Sequence, residues 1–255
     1  MSLLNTDLNS MLIVVDYNNV VNIVGGENFE SQLLHKLSEI FNRAVSEDDK
    51  VQSVDFRLYG GWLEDGIFTA AASKISQVID AQSFFPILAM EGRTQIRGSI
   101  QMPAASVASP NRRWISLYKQ GAGTPRLQVS NDIDTTACDT SRDACPIHIL
   151  QKFSKKRGKC CPVTDCKRTN SNVFRQSRQK KIDVMMASDI LAAANGTNSH
   201  FSSIAVFSDD TDLYPALADA ATANDRVYLF KDRQARDDLE TEILLSSGVI
   251  VRTMQ

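Results

Sequence analysis

The amino-acid sequence predicts an α/β fold on a mostly parallel sheet, and three observations carry that prediction. Met11–Val15 is an unbroken apolar run, the pattern of a strand covered on both faces. Short apolar runs alternate with stretches of helical spacing toward both ends of the chain. Acidic residues stand where those runs end, which is where parallel sheets build their sites.

The elements follow in order. After Met11–Val15 comes Asp16. Phe29, Leu33, Leu34, Leu37, Ile40 and Phe41 then recur at helical spacing, so a helix is expected over Glu27–Val45. His35 within it reads as a surface or boundary residue. Val51–Tyr59 alternates and reads as a strand, broken by Gly60-Gly61. Leu63, Ile67, Ala71, Ile75, Val78 and Ile79 predict a helix over Leu63–Gln82, and Phe84–Met90 a short strand. From about Glu91 to Arg178 the periodicity weakens. Ile96, Ile100, Trp114, Ile115 and Leu117 suggest short strands punctuated by Pro103, Pro110 and Pro125. This stretch, 93–177, reads as an insertion into a single domain (1–255) whose core is about 11–92 and 178–251. Order resumes with a helix over Lys181–Ala194, stopped at Asn195-Gly196. A strand Ile204–Phe207, a helix Leu213–Ala223, a strand Val227–Phe230, a helix Leu239–Leu245 and a strand Val249–Val251 complete the alternation.

Composition narrows the class. Hydrophobic residues are 43% and charged residues 23%, which excludes a wholly disordered chain and a collagen. No apolar run approaches the roughly 18 residues of a membrane span, and the N-terminal stretch lacks the basic start of a signal peptide. The expectation is a cytoplasmic protein with no membrane partner. The net charge of −2 hides an asymmetry: Gln151–Lys181 holds eleven Lys or Arg and one acid, Asp165. The remainder is strongly acidic. A basic element on an acidic body points to a polyanionic partner, and Lys155, Lys156, Arg157 and Lys181 are the candidate nucleic-acid contacts. A solvated basic loop is the plainer alternative. Aromatic residues are sparse there (Phe153, Phe174), so base stacking has little support in that segment.

The acids form the second signal. Asp16 ends the first strand, with Asn18 and Asn19 following. The strand Ile204–Phe207 runs into Ser208, Asp209, Asp210, Thr211 and Asp212, and Asp183 opens a helix. Clustered carboxylates repel one another unless a cation relieves them. Carboxylate oxygens suit Mg²⁺ or Mn²⁺, and such an ion beside a basic segment suits phosphodiester chemistry. Helix capping is the competing explanation for one or two of these acids.

LIVVDYNNV, KKIDVMMASDI and VFSDDTDLYPAL, in that order, resemble the three motifs of NYN domains, a branch of the PIN-like nucleases. The resemblance covers about Met11–Gly92 and Arg178–Val251. It implies a three-layer α/β/α fold and a metal-dependent endoribonuclease leaving a 5′-phosphate and a 3′-hydroxyl. It implies that Asp16, Asp183, Asp210 and Asp212 hold Mg²⁺ or Mn²⁺ and that Asn19 orients a water or a phosphate oxygen. Asp209 stands where the family usually has Gly and is expected to face solvent, with a further metal ligand as the alternative. Asp189, the second acid of the middle motif, lies about 240° around the helix from Asp183. It is expected to support a ligand from behind or to sit on the helix surface. Lys181, Arg57 and Arg97 are candidate phosphate contacts. The expected partner is RNA, single-stranded or structured, with a homodimer left open. An inert RNA- or DNA-binding module on the same fold is the alternative function. A phosphotransfer protein is disfavoured, because the chain has neither GxxxxGK[ST] nor a DxDx[TV] strand end.

All five cysteines, Cys138, Cys145, Cys160, Cys161 and Cys166, fall within the middle stretch. In a reducing compartment such clustering suggests a structural zinc site, with Cys138, Cys145, Cys161 and Cys166 preferred. His148 and Cys160 are alternative ligands, and free thiols the competing reading.

Overall fold

Strand β1 (Ser10–Asp16) is the centre about which the protein is organised, and the reason is its composition. Every residue from Met11 to Val15 is fully buried, so both faces of this strand need a cover. The computed structural model describes residues 9–23, 26–81, 84–85, 87–88, 95–122, 146–154, 159–161, 168–170, 175–179, 181–196, 201–224, 226–231 and 239–254. Chain order continues with helix α1 (Phe29–Ser46), β2 (Ser53–Tyr59), β3 (Leu63–Glu64), β4 (Ile67–Phe68), α2 (Ala70–Ala81), β5 (Ile87–Leu88) and β6 (Gln95–Gln101). Then come β7 (Tyr118–Ala122), α3 (Pro146–Ser154), β8 (Arg175–Gln179), α4 (Ile182–Ala194), β9 (Ser203–Phe207), α5 (Tyr214–Ala223), β10 (Val227–Lys231), α6 (Leu239–Ser246) and β11 (Ile250–Thr253).

The central sheet runs β11-β10-β9-β1-β2-β6-β5. All its pairings are parallel except the edge pair β5–β6. The two-residue period of a strand sorts β1 between two cores. Met11, Ile13 and Val15 pack with Leu33, Leu37 and Ile40 of α1 and Ala72 and Ile75 of α2. Leu12 and Val14 pack with Met186 and Ile190 of α4, Leu217 of α5 and Leu244 of α6. Helices therefore cover both faces, an α/β/α arrangement. Each such aliphatic side chain contributes about 1.5–3 kcal/mol by its burial. No helix among the described residues is long and apolar enough to cross a membrane.

Two expectations need correction. Leu63–Gln82 is not one helix: the chain first makes the hairpin β3–β4, and only Ala70–Ala81 is helical. Asp65 and Gly66 take φ of +49° and +84°, the left-handed pair of a two-residue hairpin turn, for which Asp-Gly is suited. The insertion also begins later than residue 93. Strand β6 pairs with β2 and belongs to the main sheet. It is polar apart from Ile96 and Ile100, so its apolar signal is weak. At its Gly98 a Cβ would meet the Val54 carbonyl, so only glycine lets the two strands close.

The chain forms two compact units, one of residues 1–117 and 179–255 and a second of residues 118–178. The second contains α3 and the β7–β8 ladder. It also holds a turn back in which Cys160 bridges Thr169 and the buried Asn170 donates to the Phe153 carbonyl at 2.8 Å.

Candidate functional site

The carboxyl edge of the parallel sheet gathers the acids, and the strand register explains how. Val15 pairs with Phe207, so the next residues, Asp16 and Ser208, leave the sheet side by side. Ser208 is buried, and its Oγ donates to Asp16 Oδ2 at 3.5 Å while accepting from the Asp210 N–H at 3.1 Å. One hydroxyl thus links the first motif to the third.

After Asp16 the chain makes a wide turn over Tyr17–Val21, closed by Asn22 N–H on the Tyr17 carbonyl at 2.7 Å. Asp16 caps it, accepting from the Asn19 N–H at 3.3 Å and from Asn19 Nδ2 at 2.6 Å. Asn19 is therefore exposed but committed by its amide to holding Asp16. Asp210 caps the 3-10 turn Thr211–Leu213 through Asp212 N–H at 2.9 Å. The capping explanation thus holds for Asp16 and Asp210, each of which spends part of its carboxylate on its own backbone. Asp183 stands exposed in the first turn of α4, and Asp212 is exposed beyond Asp210. Asp209 is half-buried.

The electrostatics show that these acids share a neighbourhood. Burial, above all, raises the Asp16 carboxyl above the ordinary carboxylate range. The Asn19 and Asn18 N–H groups pull it back, and the charges on Asp183 and Asp210 push it further up. Asp183 is raised by loss of solvent and then by Asp210 and Asp212. Among the described residues no Lys or Arg forms an ion pair with any of the four. In charge and donor type the set fits a hard divalent cation. It is not drawn onto one point: among the described residues no three His, Cys, Asp or Glu side chains are grouped closely enough to hold a metal ion.

A pH dependence follows. A carboxyl whose pKa is higher in the fold than in the unfolded chain adds its full stability only below the unfolded value, and loses it as pH rises through the folded one. In metal-free protein Asp183 is therefore a cost at pH 7. Asp183→Asn is expected to resist urea at least as well as the parent at pH 7, with the gap closing as pH falls below the ordinary carboxylate range. Chemical denaturation at the two pH values checks it; a variant weaker at pH 7 overturns it.

Asp189 and Arg57 require the next correction. Asp189 is fully buried, so it is not a helix-surface charge. Its Oδ2 accepts from Arg57 Nη1 and from the Tyr59 hydroxyl. Its Oδ1 accepts from Ser106 Oγ at 2.5 Å and from the Val107 N–H at 2.7 Å. Arg57 is buried in that pair and is not a phosphate contact. The turn of about 240° that keeps Asp189 from facing the same way as Asp183 aims it inward at β2 instead. Arg97 is exposed on β6.

Lys181 immediately precedes α4 in a left-handed conformation, φ +69°, which costs a non-glycine residue about 1 kcal/mol or more. Its Nζ lies 5.0 Å from the Trp114 ring centroid and donates to the Ser116 carbonyl at 3.3 Å. Sequence reasoning gave Trp114 no functional part. The usable signal was the run Arg112-Arg113-Trp114, basic residues against an aromatic one. Asp212 also borders a cavity of about 500 Å³ between α5 and α6, walled by Tyr214, Pro215, Ile243 and Leu244 and flanked by Glu240.

Lys155, Lys156, Arg157, Cys138, Cys145 and Cys166 lie outside the described residues. Of the preferred zinc ligands only Cys161 is described, half-buried and with a free thiol, next to the exposed Cys160. No family model matches the chain, and comparison with curated proteins and with solved structures gives no match either.

Proposed function

We propose that this protein is a metal-dependent endoribonuclease of PIN-like, NYN type. The observation that carries the reading is the set of four carboxylates, from three separate elements, that share one electrostatic neighbourhood at the carboxyl edge of the sheet, with no Lys or Arg among the described residues ion-paired to any of them. Asp16, Asp183, Asp210 and Asp212 would hold Mg²⁺ or Mn²⁺. The ion would supply a lowered pKa for water and positive charge against the phosphate. The chain's own groups prepare the place. Asn19 and Ser208 fix the Asp16 carboxylate, the Asp212 N–H fixes that of Asp210, and the buried position of Asp16 strengthens every charge interaction there. Hydrolysis adds the oxygen of water to phosphorus and breaks the P–O3′ bond, giving a 5′-phosphate and a 3′-hydroxyl.

One observation favours a second reading, an inert RNA- or DNA-binding module. Asp16 and Asp210 are each engaged in capping, and no three described ligand side chains are gathered. Incubation of end-labelled single-stranded RNA with Mn²⁺ or with EDTA separates the two. Cleavage in Mn²⁺ and none in EDTA is expected; binding without cleavage under several divalent metals overturns the nuclease reading. A structural zinc site in residues 118–178 and a cytoplasmic setting belong to the same proposal.

A further inference from the structure

We propose that Trp114 and Phe68, with Arg112, Arg113 and Lys181, form a platform on which unpaired bases of single-stranded RNA stack, leading the backbone to the acidic edge. The choice of RNA rests on the nuclease reading. The platform itself rests on four separate observations.

The first is exposure. Trp114 is 38% exposed and Phe68 45%, with Ile67 and Ile115 more exposed still, whereas the other tryptophan, Trp62, is buried. Exposed large apolar side chains on adjoining segments of backbone are the raw material of an interaction site. The second is continuity. The Gly66 N–H donates to the Ile115 carbonyl at 2.6 Å and Ser116 Oγ to Asp65 Oδ1 at 3.0 Å, so segment 114–116 lies along the β3–β4 hairpin that carries Ile67 and Phe68. The Trp114 N–H is held by the Ala104 carbonyl at 2.7 Å. The aromatic rings are thus mounted on bonded backbone.

The third is charge. Arg112 and Arg113 are exposed, and neither forms an ion pair among the described residues. Lys181 lies over the Trp114 ring. With Lys181 over one face of the ring, the exposed part of Trp114 is what a base would stack on, and the exposed Arg112 and Arg113 are what phosphates would meet. The strip suits a second copy of itself poorly, because a two-fold contact sets like cations against like. The fourth is direction. Lys181 is two residues before Asp183, so the platform ends at the acids. The cavity between α5 and α6 is bordered by Asp212 and Glu240, which repel a phosphate backbone. The cationic side is the approach that electrostatics leaves open.

The test uses the full chain in EDTA, so that no strand is cut. An unstructured RNA of roughly twelve nucleotides, within the range such sites span, is added while tryptophan emission is followed; labelled-RNA anisotropy gives the affinity. The RNA is expected to quench the parent's emission. Trp114→Ala is expected to weaken binding about 5- to 150-fold, the range for loss of one stacked base, and to abolish the quench. Trp114→Phe, which keeps a ring, should retain most of the affinity and so exclude misfolding as the cause. Unchanged affinity in Trp114→Ala overturns the proposal. So does an RNA duplex bound as tightly as the single strand, or base-free polyphosphate whose binding falls equally in Trp114→Ala. Sedimentation showing a dimer that Trp114→Ala dissociates would assign the strip to a second copy instead. Because binding is read without metal, absence of cleavage in the Mn²⁺ experiment leaves this result standing, and the two failures are distinguishable.

Discussion

On the proposed nuclease reading, Asp210→Asn should remove RNA cleavage in Mn²⁺ while leaving the protein folded. The carboxylate Oδ1 accepts the Asp212 N–H at 2.9 Å, and an asparagine Oδ1 makes the same cap about as well. What the substitution takes away is one negative charge from a group of four. Charge stabilisation by a bound divalent ion is worth several kcal/mol. Losing a share of about 3–4 kcal/mol corresponds to roughly 10²–10³-fold in rate. The measurement is single-turnover cleavage of end-labelled RNA, with circular dichroism to verify the fold. A variant that cuts at the parent's rate removes Asp210 from the mechanism. A variant that fails to cut and also unfolds at a lower temperature shows that the cap matters more than the charge.

Asp189→Ala should be the most destabilising single change in the buried network around Arg57. It leaves the buried Arg57 guanidinium without its close partner, and the loss of one member of a buried ion pair costs about 3–5 kcal/mol. Arg57 has little to fall back on. Asp55 is 3.7 Å from its Nε, that nitrogen makes no hydrogen bond, and Asp55 Oδ1 is also buried without a partner. A typical domain has only about 5–15 kcal/mol of stability, so the shift in a urea midpoint should be large. A loss below about 1 kcal/mol, the range of an exposed pair, would show that Arg57 finds water or another acid. The consequence reaches beyond stability. Asp189 also holds Ser106 and Val107, in the segment that leads to Arg112–Trp114, and it ties down the helix that begins next to Lys181 and Asp183. Loosening it should therefore weaken single-stranded RNA binding as well.

Much of the main sheet was legible because its signals are local. The Met11–Val15 run announces a strand covered on both faces. The spacing of Leu33, Leu37 and Ile40 announces the helix that covers one of them. The hairpin at Asp65-Gly66 has an equally local signal, but its flanks, Leu63 and Ile67, also fit a helical period, and that period masks the turn. Strand β6 is a different case. Its residues are mostly polar, and it becomes a strand because the edge of β2 offers it hydrogen bonds. No property of Gln95–Gln101 taken alone reports that edge.

The candidate site divides the same way. That Asp16, Asp183, Asp210 and Asp212 stand at element ends follows from the sequence by itself, since a strand's end and a helix's first turn are set by neighbours in the chain. The α/β class with a mostly parallel sheet follows for the same reason. Tertiary structure alone decided which charges meet. Arg57 and Asp189 are 132 residues apart and become a buried pair, while Lys181 comes to lie over the ring of Trp114, far from it in the chain. Periodicity records which side of an element is apolar. Which charge is neutralised and which is left facing water depends on distances between elements far apart in the chain, and those exist only once the sheet has closed.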